Sequence, residues 1–205
     1  MKIVNYLFLN IFLFSCMGCS SGHQEKAIQA VEFLSGDLVF RRGNSLKSDA
    51  VLYADKSGNY SHIGIVVAVD SAFKVVHIEP DNEYKDRIKK EELAVFFAPK
   101  NAKAGAVMRF SDSLCAERAA EYALCRYDEQ EITFDHDYDL DNNSKMYCTE
   151  LVWLSYLESG IDISENRRSS VSSIPSFSGT YLFPSDIFKN TKLKTIYKFK
   201  KTKRT

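Results

Sequence analysis

Residues 59–80 read NYSHIGIVVAVDSAFKVVHIEP, and the fold turns on them. The first half is a run of β-branched and small apolar residues opened by Ser61 and His62, the composition of a strand. The second half, FKVVHIEP, ends in a proline, which cannot extend a hydrogen-bonded ladder. Only the short DSA segment separates the runs, so the simplest reading is a hairpin. Side chains alternate along a strand, which puts His77 and Glu79 on one face. Pairing then lays that face beside the strand carrying His62.

Working outward, SGDLVFRRG is a turn at Gly36 feeding an earlier strand, with Asp37 capping the turn. NSLKSDAVLYAD has an Asn or Ser cap followed by helical spacing, and HQEKAIQAVEFL looks like a lead-in helix. EYKDRIKKEELAVFF reads as helical or irregular, GAVMRF as a short strand, and SDSLCAERAAEYALCRYDE as one helix. The polar EITFDHDYDLDNNSK then leads into KMYCTELVWLSYLESG, residues 145–160, an amphipathic helix with Cys148 near its start. A Ser-rich loop, the turn FPSDIF, and a last strand with a solvated basic tail in KLKTIYKFKKTKRT complete the chain. Several strands between helices define an α+β protein without internal repeats.

The chain has 205 residues, 45% of them hydrophobic, enough for one domain with a substantial core. Acidic and basic residues balance at 27 each, so no global field favours a nucleic acid as partner. Residues 1–22, MKIVNYLFLNIFLFSCMGCSSG, carry an early lysine, a short apolar run and small residues around cysteines, the pattern of an export signal. Leu13 and Ser15 before Cys16 make a lipoprotein-type processing site, with Cys19 after Gly18 as the alternative. The folded domain is then expected to be residues 23–205, with lipid on Cys16 expected to hold it to a membrane.

An exported chain left with Cys115, Cys125 and Cys148 has an odd number, so no complete disulfide framework is possible. Cys115 and Cys125 lie ten residues apart on one helix, about 15 Å, too far for a bond between them. Cys148 is therefore the thiol to examine, although a free cysteine is most often an inert core residue. A thiol becomes a nucleophile beside a histidine that takes its proton, with a polar third group to orient the imidazole. A helix N-terminus would lower the thiol pKa further, and its N–H groups could serve an oxyanion. Of the four histidines, His23 lies beside the processing site and His62 opens the strongest strand.

Two metal patterns are weak. Asp139, Asp141, Asn143 and Glu150 fall at calcium-loop positions one, three, five and twelve, but Ser144 stands where that loop needs glycine, and the Cys148 helix begins inside it. The cysteines and histidines lack the paired spacing of a zinc site. No metal or other cofactor is expected.

GDLVF, YSHIGIVV, HIEP and YCTELVW, in that order over most of residues 35–190, resemble the permuted papain-like cysteine hydrolases of the NlpC-like superfamily, in particular the YiiX-like group. The resemblance implies a circularly permuted fold in which an antiparallel sheet packs against helices, with the nucleophile at a helix N-terminus. It places the motif histidine at His62 and the motif cysteine at Cys148, with Thr149 in place of the usual serine. The third polar residue falls on Glu79, with His77 as competitor because related permuted enzymes can use a second histidine. Tyr60 and Tyr147 are candidates for lining the site. The implied function is an exported cysteine hydrolase that cleaves a peptide or N-acyl amide of the bacterial cell envelope through an acyl-enzyme. A lipid-directed acyltransferase or thioesterase, or a lipoprotein that binds a ligand without turnover, is the alternative.

Overall fold

The computed structural model describes residue 28 and residues 30–81, 83, 85–142, 144–172 and 177–200. Cys16, Cys19, His23 and half of the expected lead-in helix lie outside the described residues. In chain order the elements are β1 (Leu38–Arg42), α1 (Leu46–Ala54), β2 (His62–Val69), β3 (Ala72–His77), β4 (Lys89–Glu92), α2 (Leu93–Phe96), β5 (Ala104–Phe110) and α3 (Ser113–Glu129). They continue with β6 (Thr133–Phe134), β7 (Lys145–Met146), α4 (Cys148–Glu158), β8 (Ser169–Val171), β9 (Gly179–Tyr181), α5 (Pro184–Phe188) and β10 (Leu193–Lys200).

Six strands form one antiparallel sheet in the order β10-β5-β1-β2-β3-β4. The expected hairpin is β2–β3: Val69 pairs with Ala72, leaving Asp70 and Ser71 as a two-residue turn. Asp70 takes φ 50°, a left-handed conformation that aspartate tolerates better than branched residues do. Both faces of the central strands are covered, which explains their nearly continuous apolar runs. One face presents Leu38, Phe40, Ile63, Ile65 and Val76 to α3 and α4. The other presents Val39, Val66, Val75 and Val107 to Leu93, Phe96 and Phe97.

The GD turn is set by close packing. Gly36 has φ 87°, and a Cβ there would stand 2.3 Å from the carbonyl oxygen of Ala116 in α3. Tyr156 of α4 donates its hydroxyl to the Gly36 carbonyl at 2.8 Å. Asp37 accepts from the Leu34 N–H at 2.9 Å, the expected cap, and also takes a two-pronged bond from Arg109 at 2.8 and 2.7 Å. In α3 the buried Ala116, Ala119, Ala120 and Ala123 leave room for the sheet and α4 to approach.

Two segments differ from their sequence reading. The KKEE part of the stretch read as helical or irregular is the edge strand β4; its alternating charges suit an edge, where one face meets solvent. The Ser-rich loop contains the short antiparallel pair β8–β9, too short for periodicity to reveal.

Candidate active site

α4 begins at Cys148 because the preceding residue supplies its cap. Tyr147 is extended, its carbonyl accepts from Leu151 N–H at 3.0 Å, and its own N–H reaches the Glu150 carboxyl at 3.4 Å. Burial pushes the Glu150 carboxyl up to about 8, so near neutral pH it is mostly uncharged two residues from the thiol. Glu150 thus belongs to the helix start, and Asp135 and Asp139 accept from loop N–H groups and cap turns.

Two side chains beside Cys148 straddle Leu182. The Tyr147 hydroxyl accepts from Leu182 N–H at 3.2 Å, and Thr149 donates to the Leu182 carbonyl at 2.6 Å. Thr149 therefore ties the 181–184 segment to the start of α4. That segment forms one wall of a cavity of about 970 Å³. His62, Cys148, Glu79 and Arg41 all line it. Apolar side chains also line it: Val51 and Ala54 of α1, then Tyr138, Phe177 and Tyr181, with the last two rings stacked 4.4 Å apart. Tyr147 lines the cavity as expected. Tyr60 does not; it is 3% exposed and packs on Phe40 and Phe188 in the core.

At the sheet, His62 Nε2 lies 2.9 Å from His77 Nδ1. Gly64 makes this approach possible, since a Cβ there would stand 3.1 Å from the Cβ of His77 and 2.6 Å from Val75 Cγ1. Phe96 packs beneath both rings, stacked on His62 at 5.8 Å and edge-on to His77 at 5.3 Å. With Nε2 so engaged, Nδ1 is the His62 nitrogen left available as a base. The Cys148 thiol in turn lies against the backbone N–H groups of Ile63 and Thr149.

Glu79 stands within the same group, its carboxylate within 4.8 Å of the His62 and His77 nitrogens, so alternation did bring these residues together. Its hydrogen bonds go elsewhere. Arg41 donates to Oε2 at 2.5 Å and Lys89 to Oε1 at 3.1 Å. The partner that contacts the His62 ring is therefore His77, not the Glu79 favoured from sequence. Glu79 offsets two buried cations instead. Burial opposes its ionisation, but His62, His77, Arg41 and Lys89 together hold its carboxyl well below the usual carboxylate range.

These surroundings favour the neutral forms of the His62 imidazole and the Cys148 thiol. Burial, then the Arg41 charge, lowers the His62 pKa well below that of a free imidazole. Burial pushes the Cys148 thiol up to about 11, outweighing the N–H groups of Ile63 and Thr149. The helix N-terminus expected to lower the thiol pKa acts in that direction but loses to desolvation.

An antiparallel sheet whose histidine-bearing strand precedes a helix that opens with a cysteine is a papain-like arrangement in permuted order. The family model described as permuted papain-like amidase enzyme, YaeF/YiiX, C92 family, matches residues 32–197, and the chain belongs to this family. Among solved structures it is similar to the metalloprotein YiiX from Escherichia coli O157:H7, with 19% identity and a TM-score of 0.66. The match covers 82% of this chain and 98% of that one, and it shows a shared fold. No curated protein is matched by this chain.

The description of that neighbour as a metalloprotein raises the question of a metal here. Among the described residues, His62, His77 and Glu79 are the group whose donor atoms lie close enough. They fit a cation poorly. Both Glu79 oxygens are bound by cationic side chains, and the imidazoles bond to each other. A divalent ion would have to break those contacts while facing Arg41 and Lys89.

Four residues that shape this site escaped the sequence reading: Arg41, Lys89, Glu91 and Phe96. Arg41 is buried in an otherwise apolar strand, which is a signal in itself, because an arginine there needs a partner. Lys89 and Glu91 were hidden by the misread edge strand.

Proposed function

We propose that this chain is an exported thiol amidase in which Cys148 attacks an amide carbonyl. His62 Nδ1 takes the thiol proton as the S–C bond forms, then delivers it to the departing amine as the C–N bond breaks. Water, deprotonated by the same nitrogen, releases the carboxylic acid and restores the thiol. Backbone N–H groups in the first turn of α4 have no partner within the helix ladder, and the Cys148 N–H is positioned by that turn to meet the oxyanion. The observation that carries this reading is the meeting of Cys148 and His62 at one cavity, with the remaining His62 nitrogen held by His77.

The apolar wall of Tyr138, Phe177 and Tyr181 favours an amide bearing an apolar group, such as an N-acyl amine or a peptide with aromatic or aliphatic side chains. Turnover of N-acyl amines, envelope peptides and thioesters by the purified protein would rank these substrates. A preference for thioesters over every amide would replace the amidase reading with the acyl-transfer alternative.

The neutral resting pair gives a distinctive pH profile. Because the thiol pKa is raised, alkylation of Cys148 by iodoacetamide should be slow at pH 6 and climb about tenfold per pH unit through pH 9. Because the His62 pKa is lowered, the base stays unprotonated to lower pH, and the acid limb of kcat/KM should lie below about 6.5. A plateau of alkylation extending to pH 5 would instead reveal a thiolate–imidazolium pair at rest.

The same proposal places the enzyme at the bacterial envelope, anchored through lipid on Cys16, or on Cys19, with residues up to about 22 as tether. Two acyl chains suffice for stable attachment, whereas one is marginal. The mass of the N-terminal peptide tests this, and an unmodified terminus on a freely soluble exported protein would reject it.

A further inference from the structure

We infer that Glu91 is a positioning residue for this site, acting through His77 to fix which nitrogen of His62 carries the proton. The inference rests on His62 being the base for Cys148. Glu91 lies on β4, where His77 pairs with Lys89 and Val75 with Glu91, so Glu91 is the diagonal neighbour of His77 across the ladder. Its Oε1 stands 3.1 Å from His77 Nε2. Both atoms are buried and make no hydrogen bond to any other group, so this ion-pair contact, close in distance but off ideal hydrogen-bond alignment, is what each has to satisfy it. Arg41 Nη1, 3.6 Å from the same oxygen, helps keep the carboxylate charged.

The chain of contacts has a direction. A carboxylate can only accept, so His77 carries its proton on Nε2 and donates it to Glu91. His77 Nδ1 is then without a proton and can only accept, which obliges His62 to carry its proton on Nε2. His62 Nδ1 is left with a lone pair for the thiol. Reversing the order, with the proton on His77 Nδ1, would put the His62 proton on Nδ1 and leave no base facing Cys148. Arg41, Glu79 and Lys89 are the other charged groups acting on His62, and Cys148 lines the same cavity. Glu79, bonded to Arg41 and Lys89, cannot impose this order.

Ring-nitrogen NMR of the full-length protein reads the tautomers directly. Protons on Nε2 of both His62 and His77 are expected in the wild type, and a proton on His77 Nδ1 would overturn the inference whatever any variant does. Glu91→Gln keeps the size and an acceptor for Arg41 but can offer its amide to His77 Nε2. It should lower kcat by roughly tenfold to a hundredfold with KM within about twofold, since it misplaces a proton without touching the cavity. In a His77→Ala background the same substitution should add almost nothing. An equal loss in both backgrounds would assign Glu91 a structural role and overturn the inference. Failure of the Cys148 mechanism would show separately, as turnover surviving Cys148→Ala.

Discussion

Cys148→Ala is expected to reduce amide turnover by at least about 10⁴-fold, to the level of uncatalysed background, while leaving thermal stability nearly unchanged. The sulfur is the atom that bonds to the carbonyl carbon, and no neighbouring side chain can replace it: Thr149 is committed to the Leu182 carbonyl and Tyr147 to the Leu182 N–H. The fold should barely notice, because Cys148 borders the cavity rather than filling the core, and such changes cost about 1 kcal/mol or less. His62→Ala should lose activity to a similar degree. The two act as a unit, so the double variant should be little worse than either single one. Kinetics with purified variants on one N-acyl amide check all three, and near-wild-type kcat in Cys148→Ala would end the proposal.

The second large effect separates His77 from Glu79. His77→Ala removes the acceptor for His62 Nε2–H, leaving the imidazole free to rotate and its charged form without support. Its kcat should fall about 100-fold. Glu79→Gln leaves the His62–His77 contact in place, so kcat should fall tenfold or less. Its main consequence is electrostatic and structural. Arg41 and Lys89 lose their shared anion, His62 is driven to a still lower pKa, and the acid limb of kcat/KM moves down. Unfolding stability should drop by about 1–3 kcal/mol, because Arg41 is buried and loses its nearer carboxylate partner, keeping only Glu91 at 3.6 Å. Measured kcat, pH profiles and denaturant midpoints for both variants decide the matter. The reverse ranking of kcat would return the third role to Glu79.

The long or strongly alternating stretches were legible in the sequence for physical reasons. Residues 62–77 combine β-branched composition with a two-residue turn, and the Cys115 helix shows its alanine face at helical spacing. His62 and Cys148 could be singled out because histidines and unpaired cysteines are few in this chain. The choice between His77 and Glu79 was not legible, because both share a face and the outcome depends on which cations claim the carboxylate. Arg41 comes from a neighbouring strand and Lys89 from an edge strand whose charges resemble a solvated helix or loop. Gly64 shows the same limit. Its need for an absent Cβ appears only once His77 lies across the ladder. The balance of effects on the Cys148 thiol was not legible either, since a helix N-terminus is visible in a sequence and the depth of burial that opposes it is not.

Trapping the covalent intermediate tests the mechanism most directly. The protein would be mixed with an activated acyl ester, quenched in acid within seconds, and digested for mass spectrometry. The expected result is one acyl group on the peptide containing Cys148, absent from Cys148→Ala and lost on incubation as product appears. Amide turnover proceeding with no acyl adduct at Cys148, or with the adduct on another residue, would contradict it.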